Sequence, residues 1–238
     1  VAGALTDAVA THNARNPDSA MIFMNYAAVD PALTNERCNF WHFRFDADID
    51  MKMLALSGAI AADPSIEKVY LINQDYSFGH AVSKAAKTML AEKRPDVQIV
   101  GDDLHPLGKV KDFAPYIAKI RATGADSVIT ANWGADLALL VKAAKDSGVD
   151  VDFYTYYAGL AGGPTAIGEA GIDRVKQVGQ WHVNVGGAKS DAVVESYRGR
   201  YPENNDDLFF ITLKYGMELL AQSIDKAGST DALSVARE

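Results

Sequence analysis

The sequence predicts an α/β protein built on parallel sheet, and three observations carry that prediction. Strand-like segments recur about every 25–30 residues with a helical segment between each pair, the pattern of right-handed βαβ units. The strands include short unbroken apolar runs, such as Val69, Tyr70, Leu71 and Ile72, as expected of strands covered on both faces. The intervening segments repeat apolar residues at helical spacing, as in Val82, Ala86, Met89 and Leu90.

In chain order, Leu5–Arg15 reads as a helix with Leu5, Val9 and His12 on one face, and Ala20–Met24 as a buried strand. Residues 25–35 form a loop with room for one helical turn. Phe40–Phe45 alternates, placing Trp41, Phe43 and Phe45 on an apolar face. A helix carrying Ile49, Met53, Leu56 and Ile60 ends at Asp63-Pro64. Strand Val69–Ile72 then leads to a helix from about Gly79 to Lys93, followed by strand Val97–Val100, with Asp102–His105 at its end read as a solvated turn in preference to a metal-ligating group. Asp112 can cap a helix bearing Phe113, Ile117 and Ile120, with Pro115 tolerated in its first turn and Gly124 closing it. Strand Ser127–Thr130, a helix with Leu137, Leu140, Val141 and Ala144 closed by Gly148, and strand Phe153–Tyr156 come next. A short helix near Pro164–Ala170 precedes strand Val175–Trp181. The pattern then changes to two helices, roughly Asp191–Tyr201 and Asp206–Lys226. No linker interrupts the chain, so domain boundaries are expected at crossover strands near Phe45–Asp46 and Val183–Val185.

The 238 residues allow one large domain or two modest ones. A net charge of −8 with scattered Lys and Arg argues against nucleic acid, polyanions and anionic membranes as partners. Cys38 is the only cysteine, which excludes an intrachain disulfide and a cysteine-built zinc site. No apolar run approaches the ~20 residues of a membrane-spanning helix. The start at Val1 and the stop at Glu238 just after a helix are those expected of a mature protein or fragment with its ends removed. There is no G-x-G-x-x-G, no G-x-x-x-x-G-K-[ST] and no G-x-S-x-G, and Gly159, Gly162 and Gly163 lack nucleotide-binding spacing. The five histidines show no H-x-x-x-H pairing. No cofactor or metal is expected. The strongest candidate site is Lys68–Gly79, where a buried strand opens into polar and aromatic residues at the sheet's carboxyl edge, the place ligands occupy in open α/β sheets.

Four stretches give that candidate a family. Ala27-Ala28-Val29-Asp30-Pro31-Ala32-Leu33-Thr34 is similar to a S-P-x-A-T-x-P-x-L-T loop, and Asp75-Tyr76-Ser77-Phe78-Gly79 to D-Y-x-[YF]-G. Asp112-Phe113 through Lys119-Ile120-Arg121-Ala122-Thr123-Gly124-Ala125-Asp126 is similar to D-F…K-I-x-x-x-G-A-D. Trp133-Gly134 through Leu139-Leu140-Val141-Lys142-Ala143-Ala144 is similar to [YW]-G-x-x-x-x-x-L-L-K-Q-A. In this order and spacing the chain resembles the branched-chain amino-acid and amide solute-binding proteins of ABC transporters. The resemblance implies the type I periplasmic binding fold, two doubly wound parallel-sheet lobes that close on a small ligand. Residues 1–45 and 184–238 would belong to lobe one and 46–183 to lobe two. Members are longer, so lobe one is expected to be incomplete here.

The resemblance also assigns a pocket. Gly3-Ala4-Leu5-Thr6-Asp7 matches a turn that carries a ligand-binding serine, with Asp7 or Thr6 at the serine position. Asn25 replaces the loop's Ser, Ala27 keeps a backbone-contact position, and Val29 replaces its Thr, which removes one donor worth about 1 kcal/mol. The opposite wall would come from Tyr76, Phe78, Trp133 and Tyr157, the last standing where amino-acid-binding members carry an acid for the ammonium. Asp7 could instead be a helix-dipole partner, Tyr154, Tyr156 and Tyr157 could be strand aromatics, and Trp181 and His182 fit a hinge or a pocket equally. The function that the resemblance implies is that of a monomeric, periplasmic, non-enzymatic component of an ABC importer, which captures a small organic solute for a membrane permease. An aromatic or other non-amino carboxylate is favoured, because an ammonium buried without a carboxylate partner is costly. A ligand-sensing receptor domain on the same fold and a small α/β enzyme using Asp7 or Asp75 are the alternatives.

Overall fold

The computed structural model describes residues 1–203 and 206–238. In chain order the elements are α1 (Ala2–Arg15), β1 (Phe23–Asn25), β2 (His42–Arg44), α2 (Ile49–Ala61), β3 (Lys68–Gln74), α3 (Ser77–Lys93), β4 (Gln98–His105) and α4 (Ala114–Thr123). Then come β5 (Ser127–Ile129), α5 (Gly134–Asp146), β6 (Asp152–Thr155), α6 (Gly163–Ile167), β7 (Val175–Gln177), α7 (Ala188–Arg200), α8 (Ile211–Ala227) and α9 (Ala232–Ala236). Short 3₁₀ turns lie at Pro17–Ser19, Pro31–Thr34, Gly168–Gly171 and Val183–Val185. The chain forms two compact units, Val1–Asp48 with Phe210–Glu238, and Ile49–Phe209. The boundaries read from the sequence were 45/46 and 183/184. Asp206 accounts for part of the later second boundary, since its carboxylate accepts from the backbone of Gly162 and Thr165 and so ties its segment to the second unit. Neither junction is a strand: β2 ends at Arg44, and 183–185 is a 3₁₀ turn.

The second unit is a five-stranded, all-parallel sheet in the order β4-β3-β5-β6-β7. β3 is paired on both sides, by β4 and β5, and is buried from Val69 to Gln74. Its alternate residues Tyr70 and Ile72 join a core with Phe113, Ile117 and Ile120 around α4 and Leu137, Leu140, Val141 and Ala144 from α5. Helices α2 and α3 pack together, burying Met53, Leu56 and Ile60 on one and Val82, Ala86 and Leu90 on the other. These are the residues whose helical spacing is visible in the sequence. The Asp112 carboxylate accepts from the Ala114 amide at 2.8 Å, and Gly124 closes α4 in the left-handed conformation. Asp126 pins the start of β3 by accepting from the amides of Glu67 and Lys68.

Two elements differ from the sequence reading here. β4 runs on through Asp102–His105, which pair with Leu71–Gln74 and are not a turn. As an edge strand it is wetted on one side, so its polar residues are compatible with sheet. The final strand stops at Gln177, well short of Trp181.

The first unit holds β1 and β2 as a parallel pair, with Asn25 opposite Arg44. Both are shorter than their apolar runs: Met21 and Phe40 lie outside them and are exposed. On β2 the buried residue is His42, not its aromatic neighbours. The Asn13 amide exchanges two hydrogen bonds with the Met21 backbone, tying α1 to the segment that enters β1. The Thr212 hydroxyl of α8 donates to Tyr26 O. Among the described residues no helix is long and apolar enough to cross a membrane.

Gly79 in the first turn of α3 is demanded by packing: a Cβ there would lie 1.9 Å from the Gln74 carbonyl oxygen. Backbone on backbone cannot relax as a side chain would. Gly79→Ala is expected to lower the stability by more than about 2 kcal/mol in urea unfolding, whereas Gly58→Ala, with only the tip of Lys93 at 3.8 Å, should be neutral or stabilising.

Candidate functional site

The strand order of the second unit reverses beside β3: the next strand, β4, lies on one side of it, and β5, β6 and β7 lie on the other. At such a switch point the loops leaving the carboxyl ends of adjacent strands part and leave a crevice. Here those loops are Asp75–Tyr76 after β3 and Thr130–Trp133 after β5, and each runs straight into a helix.

Three hydrogen bonds bind these segments to each other. The Asn73 side-chain oxygen accepts from Ala131 N at 2.7 Å. The Gln74 Nε2 donates to the Asp136 carboxylate at 2.8 Å. The Trp133 indole Nε1 donates to the Tyr76 hydroxyl oxygen at 2.9 Å. Beneath them, Asp136 also accepts from Gly108 N, and Asn132 Oδ1 meets His105 Nε2 at 2.9 Å. Asn73, Gln74, His105, Asn132 and Asp136 are all buried. Asp136 lies in the first turn of α5, where the helix dipole favours a negative charge.

Upon this frame stands an aromatic cluster. Tyr76 and Phe78 rings lie 6.0 Å apart, Phe78 and Tyr156 5.9 Å, and Phe78 and Tyr157 5.7 Å. Such separations are those of offset and edge-on pairs. Phe78 and Tyr157 are largely buried, Tyr76 is half-buried, and Trp133 is 38% exposed. Burial pushes the Tyr76 phenol above its ordinary pKa, and the indole hydrogen bond works against that shift. The four second-unit residues expected from the sequence, Tyr76, Phe78, Trp133 and Tyr157, are thus joined through ring contacts and one hydrogen bond. Tyr156, which donates to Met53 Sδ, is core. Tyr154 accepts from Lys176 Nζ.

Sequence reasoning missed Lys52. It lies in the first half of α2, is 5% exposed, and places Nζ 4.5 Å from the Tyr157 ring centroid and 3.2 Å from its hydroxyl oxygen. Phe209, also missed, sets its ring 6.1 Å from that of Tyr157. Neither belongs to any of the four motif stretches, and Lys52 and Tyr157 are 105 positions apart, so no local spacing signals the pair.

The first-unit residues are placed differently from expectation. Gly3–Asp7 is no turn but the opening of α1. The Thr6 hydroxyl is buried and donates to Ala2 O at 3.0 Å, as a helical Thr commonly does. Asp7 is exposed and pairs with Arg37 at 2.5 Å. Asn25 is buried at the end of β1, where its side-chain oxygen accepts from the amides of Ala27 and Ala28, while Nδ2 reaches Ala28 O and His42 Nε2. The amide near Ala27, expected to meet a ligand carboxylate, therefore already has a side-chain acceptor. Val29 is buried. Asp75 pairs with His80 on the surface of α3. Trp181 donates to Ser190 Oγ, and the His182 ring accepts from Asn184 N. Both line a cavity of about 950 Å³ beside β7, whose lining includes Phe209 but none of Tyr76, Phe78, Trp133 and Tyr157.

Comparison with known proteins places this arrangement. A family profile described as "Periplasmic binding protein" matches residues 1–238. The Leu/Ile/Val-binding protein homolog 4 of Brucella melitensis is 32% identical over 94% of this chain and 53% of its own length. The chain thus spans about half the length of the curated relatives it matches. Among solved structures, the closed leucine-, isoleucine-, valine-, threonine- and alanine-binding protein of Brucella ovis superposes with a TM-score of 0.82 at 27% identity, covering 99% of this chain and 61% of that one. An ABC-transporter solute-binding protein of R. palustris in complex with benzoate superposes at 0.81 and 18% identity, covering 96% and 61%, and shares the fold.

The cross-bracing predicts the cost of breaking it. Asp136→Ala strands the buried donor Gln74 Nε2 and removes the acceptor of Gly108 N, and is expected to cost about 2 kcal/mol. Chemical unfolding of the variant, compared with exposed Asp18→Ala as a neutral control, measures it.

Proposed function

The chain belongs to the periplasmic binding protein family, with the type I fold of its solved relatives, and we propose that it serves as the solute-capturing component of an ABC importer acting outside the cytoplasm. It binds a small organic molecule and presents it to a membrane permease. The relatives matched are named as binding proteins, and binding without turnover is the role proposed here. The ligand contacts proposed in the second unit are Tyr76, Phe78, Trp133 and Tyr157.

The proposed ligand is an aromatic or other non-amino carboxylate. One observation carries this: at the position where the amino-acid-binding pattern has an acid, this chain has Tyr157, and against it lies the Lys52 side chain. The Lys52 ammonium donates to the Tyr157 hydroxyl, so this position holds a cationic donor where an acid would receive a ligand ammonium. The aromatic cluster offers flat apolar area with hydroxyls at its edge. That a benzoate-binding protein is built on this fold supports the fold's capacity for such acids.

A thermal-shift panel decides the ligand class. Benzoate and hydroxybenzoates are expected to raise the unfolding midpoint, since ligand at 100 times Kd adds about 2.7 kcal/mol. Stabilisation by leucine or valine with none by the aromatic acids overturns the proposed ligand and returns the chain to amino-acid binding.

A further inference from the structure

We infer that Trp133 is a specificity-determining residue: by donating its indole N–H to the Tyr76 hydroxyl oxygen, it commits that hydroxyl to act as a hydrogen-bond donor toward the ligand, so that the site selects an acceptor group and rejects an amine at this point.

Donor inventories set the direction of this bond. An indole nitrogen can only donate. At 2.9 Å its hydrogen occupies the acceptor side of the Tyr76 oxygen. A phenol has one hydrogen, and with its oxygen accepting, that hydrogen is what Tyr76 has left to offer. The hydroxyl is held in place, because Tyr76 follows Gln74-Asp75 and Trp133 follows Asn132, and both stems are tied by the Asn73–Ala131 and Gln74–Asp136 bonds. Tyr76 is half-buried and Trp133 is 38% exposed, so the pair forms part of the accessible surface at the switch point while its support is buried. A ligand carboxylate or carbonyl oxygen can take the Tyr76 hydrogen. A ligand ammonium or amine N–H arriving at the same oxygen finds the better acceptor position taken by the indole and is left with the weaker, ring-conjugated lone pair. The discrimination is thus set by a residue whose polar atom reaches the ligand only through Tyr76. It adds to the proposed function the way in which ligand chemistry is read, and it rests on that reading for the location of the site.

The test combines a ligand panel with a measurement that needs no ligand. Trp133→Phe keeps an aromatic ring and removes the N–H, and Tyr76→Phe keeps the ring and removes the hydroxyl. By isothermal titration, the ratio of benzoate to benzylamine affinity is expected to fall roughly tenfold or more in Trp133→Phe. Tyr76→Phe is expected to weaken benzoate by a similar factor. Unchanged ratios in Trp133→Phe with benzoate bound normally overturn the inference. The second measurement is ultraviolet titration of tyrosine ionisation, with Tyr76→Phe identifying the Tyr76 signal. The indole hydrogen bond favours the phenolate, so its loss is expected to move the Tyr76 ionisation to higher pH in Trp133→Phe. If neither probe binds the unaltered protein, the ligand assignment fails, and the titration still decides the hydroxyl's commitment: an unmoved Tyr76 ionisation overturns it. Circular dichroism of both variants separates these outcomes from unfolding.

Discussion

The carboxyl end of β3 imposes a constraint that much of the second unit answers. The strand is apolar from Val69 to Ile72 and then delivers two primary amides, Asn73 and Gln74, into positions with almost no solvent access. An unpaired buried amide group costs about 1–3 kcal/mol. The fold meets most of that cost by bringing the next loop and helix to these side chains: Ala131 N and Ser83 Oγ to Asn73, and Asp136 to Gln74 Nε2, while Gln74 Oε1 is left without a hydrogen-bond partner among the described residues. The same contacts fix how Tyr76 and Trp133 are presented. Site residues on loops are ordinarily less well held than those on regular elements. Here each sits at the N-cap of a helix and one or two residues beyond a buried anchor, so loop residues acquire the precision of the sheet. Gly79 belongs to the same solution, since only a residue without Cβ lets the first turn of α3 lie on the Gln74 carbonyl.

The first unit solves a related problem with one side chain. After β1 the chain turns through Tyr26–Val29, and the backbone amides of Ala27 and Ala28 need acceptors. Asn25 supplies both from a single oxygen, and its Nδ2 returns to Ala28 O and the His42 ring. A serine, which the related loop pattern carries, has one oxygen and one hydrogen and could not make all four contacts. The substitution is therefore structural in consequence: this loop closes on itself. Its neighbour Asp30 continues the theme by capping the 3₁₀ turn at Pro31–Thr34 through Ala32 N.

How much of this was legible depends on range. The β3, β5 and β6 strands and helices α2 to α5 follow from periodicity, because burial on one stripe or on both faces leaves a local pattern. β4 was half legible: an edge strand can carry Asp102 and Asp103 outward, where they pair with Lys87 and Lys119, and so its polar end resembles a turn. The start of α1 was not legible, because Gly3 suggests a turn, yet Val1 O already accepts from Leu5 N. Tyr76, Phe78, Trp133 and Tyr157 could be nominated from motif position. Their mutual contacts could not, nor could Lys52, since pairings across 57 or 105 residues leave no spacing to read.

The tyrosines show what sequence withholds even when residue type and position are known. Tyr70 donates to the Asp103 carboxylate and Tyr156 to the Met53 sulfur, so both hydroxyl hydrogens are directed into the structure. Burial raises both phenols above their ordinary pKa, and for Tyr70 the carboxylate partner raises it further. Tyr76 and Tyr157 are arranged the other way. Their oxygens accept, from the Trp133 indole and from the Lys52 ammonium, two groups that can only donate. The assignment of roles is therefore made by the partners and not by the phenols. A tyrosine whose hydrogen is consumed by a carboxylate serves the core. One whose oxygen is engaged by an obligate donor turns its hydrogen toward other acceptors. The division follows the partner and not the place: Tyr154, outside the aromatic cluster, also accepts, from Lys176, whereas Tyr156, within ring contact of Phe78, donates, so hydrogen-bond polarity is a property of the scaffold as much as apolar burial is.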